Sequence, residues 1–242
     1  MAALLPTRLD ATRLAATPGR EGPDMQRLRF ILTSSIGKKE LMALTGLAFI
    51  AFLVIHLVGN LTIYAGSDTF NAYAATLHSL GPLVEAFEIG LLTIGSIHIV
   101  FAMILIFQNQ AARPVDYAGK RSEGGRSLGS RTMIFSGPYI LLFVVFHLIH
   151  FTLIDKTGTT IAAIVGERFH DPLWVAFYSF SMLVVGTHVS HGFWSGFQSI
   201  GLDTLRTGAL RRFSTVLSVI FALGFGLIPV VVYFAAEKIK FN

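Results

Sequence analysis

The sequence predicts an all-α membrane protein: five transmembrane helices in one bundle, with the N-terminus cytoplasmic and the C-terminus outside. Three observations carry this expectation. The 242 residues are 53% apolar and only 14% charged, with a mean hydropathy of +0.64, whereas a soluble domain carries charge at about a quarter of its positions. Apolar runs of eighteen or more residues recur five times, and that is the length a helix needs to cross hydrocarbon. Six of the eight histidines fall inside those runs, where an ionisable group is costly and marks a functional site.

Residues 1–30 contain arginine, Pro and Gly and no apolar core. They read as a poorly ordered cytoplasmic segment rather than a signal peptide, with Met25 as an alternative start. The membrane domain then takes up 31–242. Its first span runs from Lys38 to Tyr64, the second from Leu83 to Phe107, the third from Thr132 to Ile154, the fourth from Pro172 to Gln198 and the fifth from Phe213 to Ala236. Pro82 and Pro172 stand at or just before span starts, where a missing N–H costs nothing. Pro138 and Pro229 lie inside spans, where neighbouring helices tolerate them.

Orientation follows from the basic residues. Lys38 and Lys39 precede the first span; Arg113, Lys120, Arg121, Arg126 and Arg131 fill the second connection; Arg206, Arg211 and Arg212 fill the fourth. The other side has Lys156 and Arg168, with Lys238 and Lys240 at the C-terminus. This asymmetry places the N-terminus in the cytoplasm. It also accounts for the net charge of +5 and the pI near 9.7 without nucleic acid. The absence of cysteine excludes disulfides, thiolate metal sites and cysteine-held iron–sulfur clusters in this chain.

His78 and His170 fall in outer loops; His56, His98, His147 with His150, and His188 with His191 lie in the first four spans. The rise per residue puts His56 and His147 about 27 and 23 Å from the cytoplasmic end, and His98 and His188 both about 14 Å from it. Two pairs at two depths, from four helices, suit two bis-histidine haems stacked across a membrane. Packing histidines, or a zinc or proton site, are the alternatives; no Asp or Glu accompanies the histidines at depth, which weighs against the last two. His150 and His191 stand three residues beyond their neighbours, near the same helix face, and spacing alone does not choose within either doublet. Gly186, Ser190, Gly192, Ser195 and Gly196 flank the fourth-span site, where they admit a flat macrocycle or a neighbouring helix.

At these residues the chain resembles a known family. KKELMALTGLAFIAFLVIHLVGNL (Lys38–Leu61), FVVFHLIHF (Phe143–Phe151) and HVSHGFWSGF (His188–Phe197) resemble the five-helix, di-haem cytochrome b membrane anchor of succinate:quinone oxidoreductases and quinol:fumarate reductases. The similarity runs from about residue 34 to the end. It implies axial ligands His56 with His147 for the outer haem and His98 with His188 for the inner one. His147 is favoured over His150 by its place ten residues after Gly137, and His188 over His191 by the H-x-S-x-G-x-W-S pattern it opens.

The resemblance further implies a multi-pass subunit of respiratory complex II in the bacterial cytoplasmic (inner) membrane, serving the tricarboxylic acid cycle. An iron–sulfur subunit and an FAD-carrying flavoprotein subunit, both cytoplasmic, would interconvert succinate and fumarate. This chain, surrounded by lipid, would carry electrons through two b haems to or from a quinone, usually menaquinone, near the outer haem. Candidate quinone contacts are Asn60, Asn71, Tyr73, His78, Glu85 and Glu88, each of which would serve equally as a solvated loop or helix-end residue. Lys38, Lys39, Arg131 and Arg211 are candidates for the inner haem's propionates, or solvated anchors. The fifth span, without histidine, is a candidate face for a dimer or higher oligomer of the complex. Rival readings are a haem anchor of the formate dehydrogenase or hydrogenase kind, and a transporter whose histidines bind a metal or relay protons. If quinone reacts at the outer face, turnover couples to the membrane potential at about 2.3 kcal/mol per charge per 100 mV. Quinone turnover in sealed proteoliposomes should therefore respond to an imposed potential, and insensitivity would refute the coupling.

Overall fold

The computed structural model describes residues 22–112, 128–202 and 207–235. Residues 1–21, and with them most of the expected N-terminal segment, lie outside the described residues, as do Arg113, Lys120, Arg121, Arg126, Arg206, Lys238 and Lys240. Within them the chain is helical: α1 Pro23–Thr33, α2 Ser35–Leu61, α3 Ser67–His78, α4 Pro82–Ala111, α5 Leu128–Phe151, α6 Ile161–Arg168, α7 Pro172–Ser199 and α8 Thr207–Ala235. Five of these, α2, α4, α5, α7 and α8, are long and apolar enough to cross a membrane, so the chain is an all-α protein with five candidate membrane-spanning helices.

Local chemistry sets the boundaries. The last part of the N-terminal segment is the helix α1, and Ser34 breaks it from α2 in extended conformation; the Ser34 hydroxyl accepts from the Gly37 amide at 2.9 Å. Pro82 and Pro172 occupy the first turns of α4 and α7. Asp171 caps α7 by accepting from the Leu173 amide at 2.8 Å. Pro138 and Pro229 are indeed carried inside α5 and α8. The third span ends at Phe151 rather than Ile154. There Leu153 N reaches back to Leu148 O at 2.8 Å in a widened last turn. Beyond it Asp155 accepts from both the hydroxyl (2.7 Å) and the amide (2.9 Å) of Thr157. Those two bonds hold the Asp155 carboxyl below its ordinary value. The short helices α3 and α6 stand where the sequence reading expected loops.

The bundle has two ends. At the end where α2 begins (the α2-start face), Lys38 is buried and its Nζ donates to Gln108 Oε1 of α4 at 3.4 Å. The Arg211 guanidinium of α8 lies 4.1 Å over the Trp194 ring of α7 at the same end. At the opposite face α3 packs on α6, tied by Asn71 Oδ1, which accepts from the Ala162 amide at 3.0 Å.

Helix α7 is the organiser. It packs most extensively on α8, and also on α5 and α2, while α4 leans on α2. Small residues make the α7–α8 seam possible. A Cβ on Gly186 would stand 3.0 Å from both Ala222 Cβ and Ser218 O, so the two backbones meet where glycine permits. Polar groups bind the same seam: Ser179 Oγ donates to Gly226 O at 2.9 Å, and Ser214 Oγ donates to Ser190 O. The helices that carry the depth-matched histidines, α2 with α5 and α4 with α7, are not closely packed backbone to backbone among the described residues. Leu105 is the one buried residue of the apolar, thirty-residue α4.

Gly186→Val should push α8 away and lower stability in detergent by roughly 1–3 kcal/mol, the usual cost of overpacking. An earlier midpoint in a denaturing-detergent titration is the expected reading; an unchanged midpoint would show that the seam is not set by this contact.

Candidate functional site

An imidazole has two nitrogens, and in an apolar bundle the partner of one decides what the other can do. His98 on α4 places Nδ1 3.1 Å from the Met42 carbonyl of α2 and 3.2 Å from the Thr45 hydroxyl. A carbonyl only accepts, and the Thr45 hydroxyl spends its own proton on the Leu41 and Met42 carbonyls (2.8 and 3.0 Å). Nδ1 therefore carries the hydrogen, and Nε2 keeps its lone pair. His188 on α7 repeats the arrangement on the other side. Its Nδ1 lies 2.9 Å from Ser136 Oγ of α5, a hydroxyl that also lies 3.4 Å from Met133 O. The two rings lie within electrostatic reach of each other.

Glycines let the neighbouring helices come alongside these rings. A Cβ on Gly46 would crowd His98 Cε1 at 3.1 Å, whereas one on Gly137 would meet His188 Cε1 in ordinary contact at 4.0 Å. The equivalence is geometric as well as chemical: each imidazole is steered by a neighbouring helix that is not its partner's.

The second pair meets ring to ring. His56 and His147 have centroids 5.9 Å apart and planes at 90°. Aromatic rings hold this pair. Phe52 stacks on His56 at 5.1 Å, Phe225 lies 5.6 Å away, and His147 sits among Phe143, Phe151 and Tyr178. The Nδ1 of His147 is buried without a hydrogen-bond partner among the described residues.

The doublets separate cleanly in their surroundings. His150 is only 6% exposed, and its Nδ1 lies 2.9 Å from the Tyr178 hydroxyl, with Trp174 edge-on at 4.4 Å. The Arg168 guanidinium caps that tryptophan at 5.7 Å. His191 stands 6.0 Å from the Trp194 ring. Among the described residues His147 has a ring contact with an imidazole across the bundle and His150 has none, while neither His188 nor His191 has one.

Of the other predicted contacts, Asn60 donates from Nδ2 to the His56 carbonyl at 2.8 Å and lies 3.4 Å from His56 Nε2, so it sits beside the upper pair. Tyr73 packs its phenol against Gly59, one residue away in α2. Asn71 is occupied with the α3–α6 tie already described. The His78 ring bonds its own helix through Nδ1 and Ala74 O at 2.8 Å, and Glu85 and Glu88 are exposed on the first turns of α4. Lys39 and Arg131 are exposed. Sequence reasoning missed Thr45, Ser136, Phe52, Phe225 and Tyr178. The only signal for the two hydroxyls was their presence at the right height in otherwise apolar spans.

The donor set fits a group that brings ligands of its own. Among the described residues no three His, Asp or Glu side chains converge to hold a bare ion. The bundle brings imidazoles in twos, His56 with His147 and His98 with His188, and such pairs would fit a haem iron. No family model, curated protein or solved structure matches the chain.

Asn71→Ala should leave the buried Ala162 amide unpaired and cost about 1–3 kcal/mol. Its loss should appear as lower stability and faster proteolysis in α3–α6, whereas a purely quinone-contacting role would leave both unchanged.

Proposed function

We propose that this chain is the haem-carrying membrane anchor of a succinate:quinone oxidoreductase or quinol:fumarate reductase. On this reading it moves electrons between a cytoplasmic iron–sulfur subunit and membrane quinone, while the dicarboxylate chemistry takes place on a flavoprotein partner. The observation that carries the proposal is the disposition of His98 and His188. Each is held through Nδ1 by a group on a third helix, which leaves Nε2 as the nitrogen for a ligand. A second-shell bond of that kind fixes the tautomer and orientation of a metal-binding imidazole. Bound b haems supply the one-electron redox chemistry.

Everything else is the work of this chain's side chains. Thr45, the Met42 carbonyl and Ser136 orient the inner pair. Phe52, Phe225, Phe143 and Phe151 exclude water from the outer pair and keep its rings from rotating. Spacing along α2, α4, α5 and α7 sets the two levels about 10 Å apart along the bundle, from the rise per residue. On the same reading the α2-start face is cytoplasmic, so the His98–His188 level is the one nearer the iron–sulfur subunit. Asn60, beside His56 near the other face, is the best placed of the quinone candidates.

Pyridine haemochrome quantitation on single variants tests the assignment. The purified complex should hold two haems per chain. His56→Ala and His147→Ala should each remove the outer one, and His98→Ala and His188→Ala the inner one, reducing the count to about one, whereas His150→Gln should keep both. Retention of two haems by any of the four alanine variants would break the pairing.

A further inference from the structure

Beyond His188, α7 carries a stripe that runs toward the α2-start face: His191 three residues on and Trp194 three beyond that. At 1.5 Å per residue these lie about 4.5 and 9 Å along the axis from His188. Two nitrogens of this stripe are buried with no hydrogen-bond partner among the described residues, His191 Nδ1 and Trp194 Nε1. The indole N–H can only donate, so its missing partner is an acceptor. A positive charge stands over the same place. The Arg211 guanidinium lies 4.1 Å from the Trp194 ring centroid and within electrostatic reach of His191. Ser214 fixes α8 at this height through its bond to the Ser190 carbonyl.

An indole N–H beneath a guanidinium, with an imidazole Nδ1 that donates when it carries the hydrogen, matches an acceptor that is anionic and has two oxygens, a carboxylate. The described lengths of α7 and α8, 172–199 and 207–235, contain no Asp or Glu beside this cluster. The same three residue types recur beyond His147 as His150, Trp174 and Arg168, with Arg168 Nε buried and unpartnered. There, however, the Tyr178 hydroxyl satisfies the histidine. The cluster on α7 is the one whose ring donors are left open. We propose that His191, Trp194 and Arg211 bind the propionate carboxylates of the haem ligated through His188. This inference rests on the electron-transfer reading above and adds to it. It assigns His191 as a propionate holder rather than an iron ligand, and it makes Trp194 a hydrogen-bond donor rather than packing.

The test uses the purified complex with haem labelled biosynthetically with carbon-13 at the propionate carboxyls. Reduced-minus-oxidised infrared spectra then report the propionates alone, and potentiometry reports each haem. Trp194→Phe, which keeps the ring but deletes the N–H, should shift a label-sensitive carboxylate band while two haems per chain are retained. Arg211→Gln should lower the midpoint potential of the inner haem, because a removed positive charge favours ferric iron, and leave the outer one in place. Arg212→Gln, the exposed cation next door, should change neither. Should Trp194→Phe not accumulate, Arg211→Gln carries the test alone, its side chain being exposed. Label-sensitive bands and potentials unchanged in all variants of a two-haem complex would overturn the propionate site and leave the electron-transfer reading standing. Equal shifts for Arg211→Gln and Arg212→Gln would also overturn it, as bulk electrostatics. A wild-type complex without haem would overturn the electron-transfer reading itself.

Discussion

In a dry bundle an imidazole nitrogen without a partner is a liability, and the arrangement of this chain follows from how that liability is met. Four helices bring histidines to the interior, and at each the surroundings decide between ring nitrogens. At the His98–His188 level the decision is made by hydrogen bonds between Nδ1 and a carbonyl or a hydroxyl. At the His56–His147 level it is made by aromatic contact, with one Nδ1 left unpaired. The first arrangement fixes ring orientation by direction, the second by shape.

That division depends on where α7 spends its small residues. Gly186 and the serines on its α8 side let two backbones meet and be tied, which frees the remaining faces of α7 for α5 and α2. Had the seam been built of leucine, α8 would stand further out and Arg211 could not reach over Trp194. The fifth span, though it carries no histidine, thus supports the constellation by bracing the helix that holds His188 and by delivering a cation to its lower end. The proline-started α4 stands differently. It touches α2 and buries little of itself, so its position depends on Thr45 and Met42 meeting His98 as much as on apolar contact.

Much of this was legible in the sequence because a membrane simplifies the rules. Length and hydropathy sufficed for five spans, since the bilayer admits few other solutions. Counting residues sufficed to bring His56 opposite His147, since helical rise converts position into depth. The short helices α3 and α6 were illegible: twelve and eight residues of mixed polarity carry no distinctive period, and their fold depends on each other through Asn71. For the same reason Asn71 reads as a free polar residue in the sequence and proves to be a structural tie. Boundaries such as Phe151 were missed because apolar composition continues past the point where the backbone turns. The partners of Nδ1 were illegible for a deeper reason. Thr45 and Ser136 are ordinary hydroxyls within reach of their own helix's carbonyls, and only the crossing of α2 with α4 and of α5 with α7 brings them to a ring.

The doublets show most clearly what three dimensions add. His147 and His150, like His188 and His191, are equivalent by spacing, yet in each the first member lies at a shared level across the bundle while the second runs on toward a membrane face. There each second member meets a tryptophan with an arginine above it. An aromatic ring under a guanidinium shields the charge from lipid while leaving its N–H edge available. Such a pair is therefore a means of keeping a cation a short way inside an apolar slab. Placed beside the second histidine of each doublet, it brings positive charge toward the membrane face beyond each level. The composition repeats at opposite ends of α7, but only at the Trp174 end does a phenol, Tyr178, also meet the histidine.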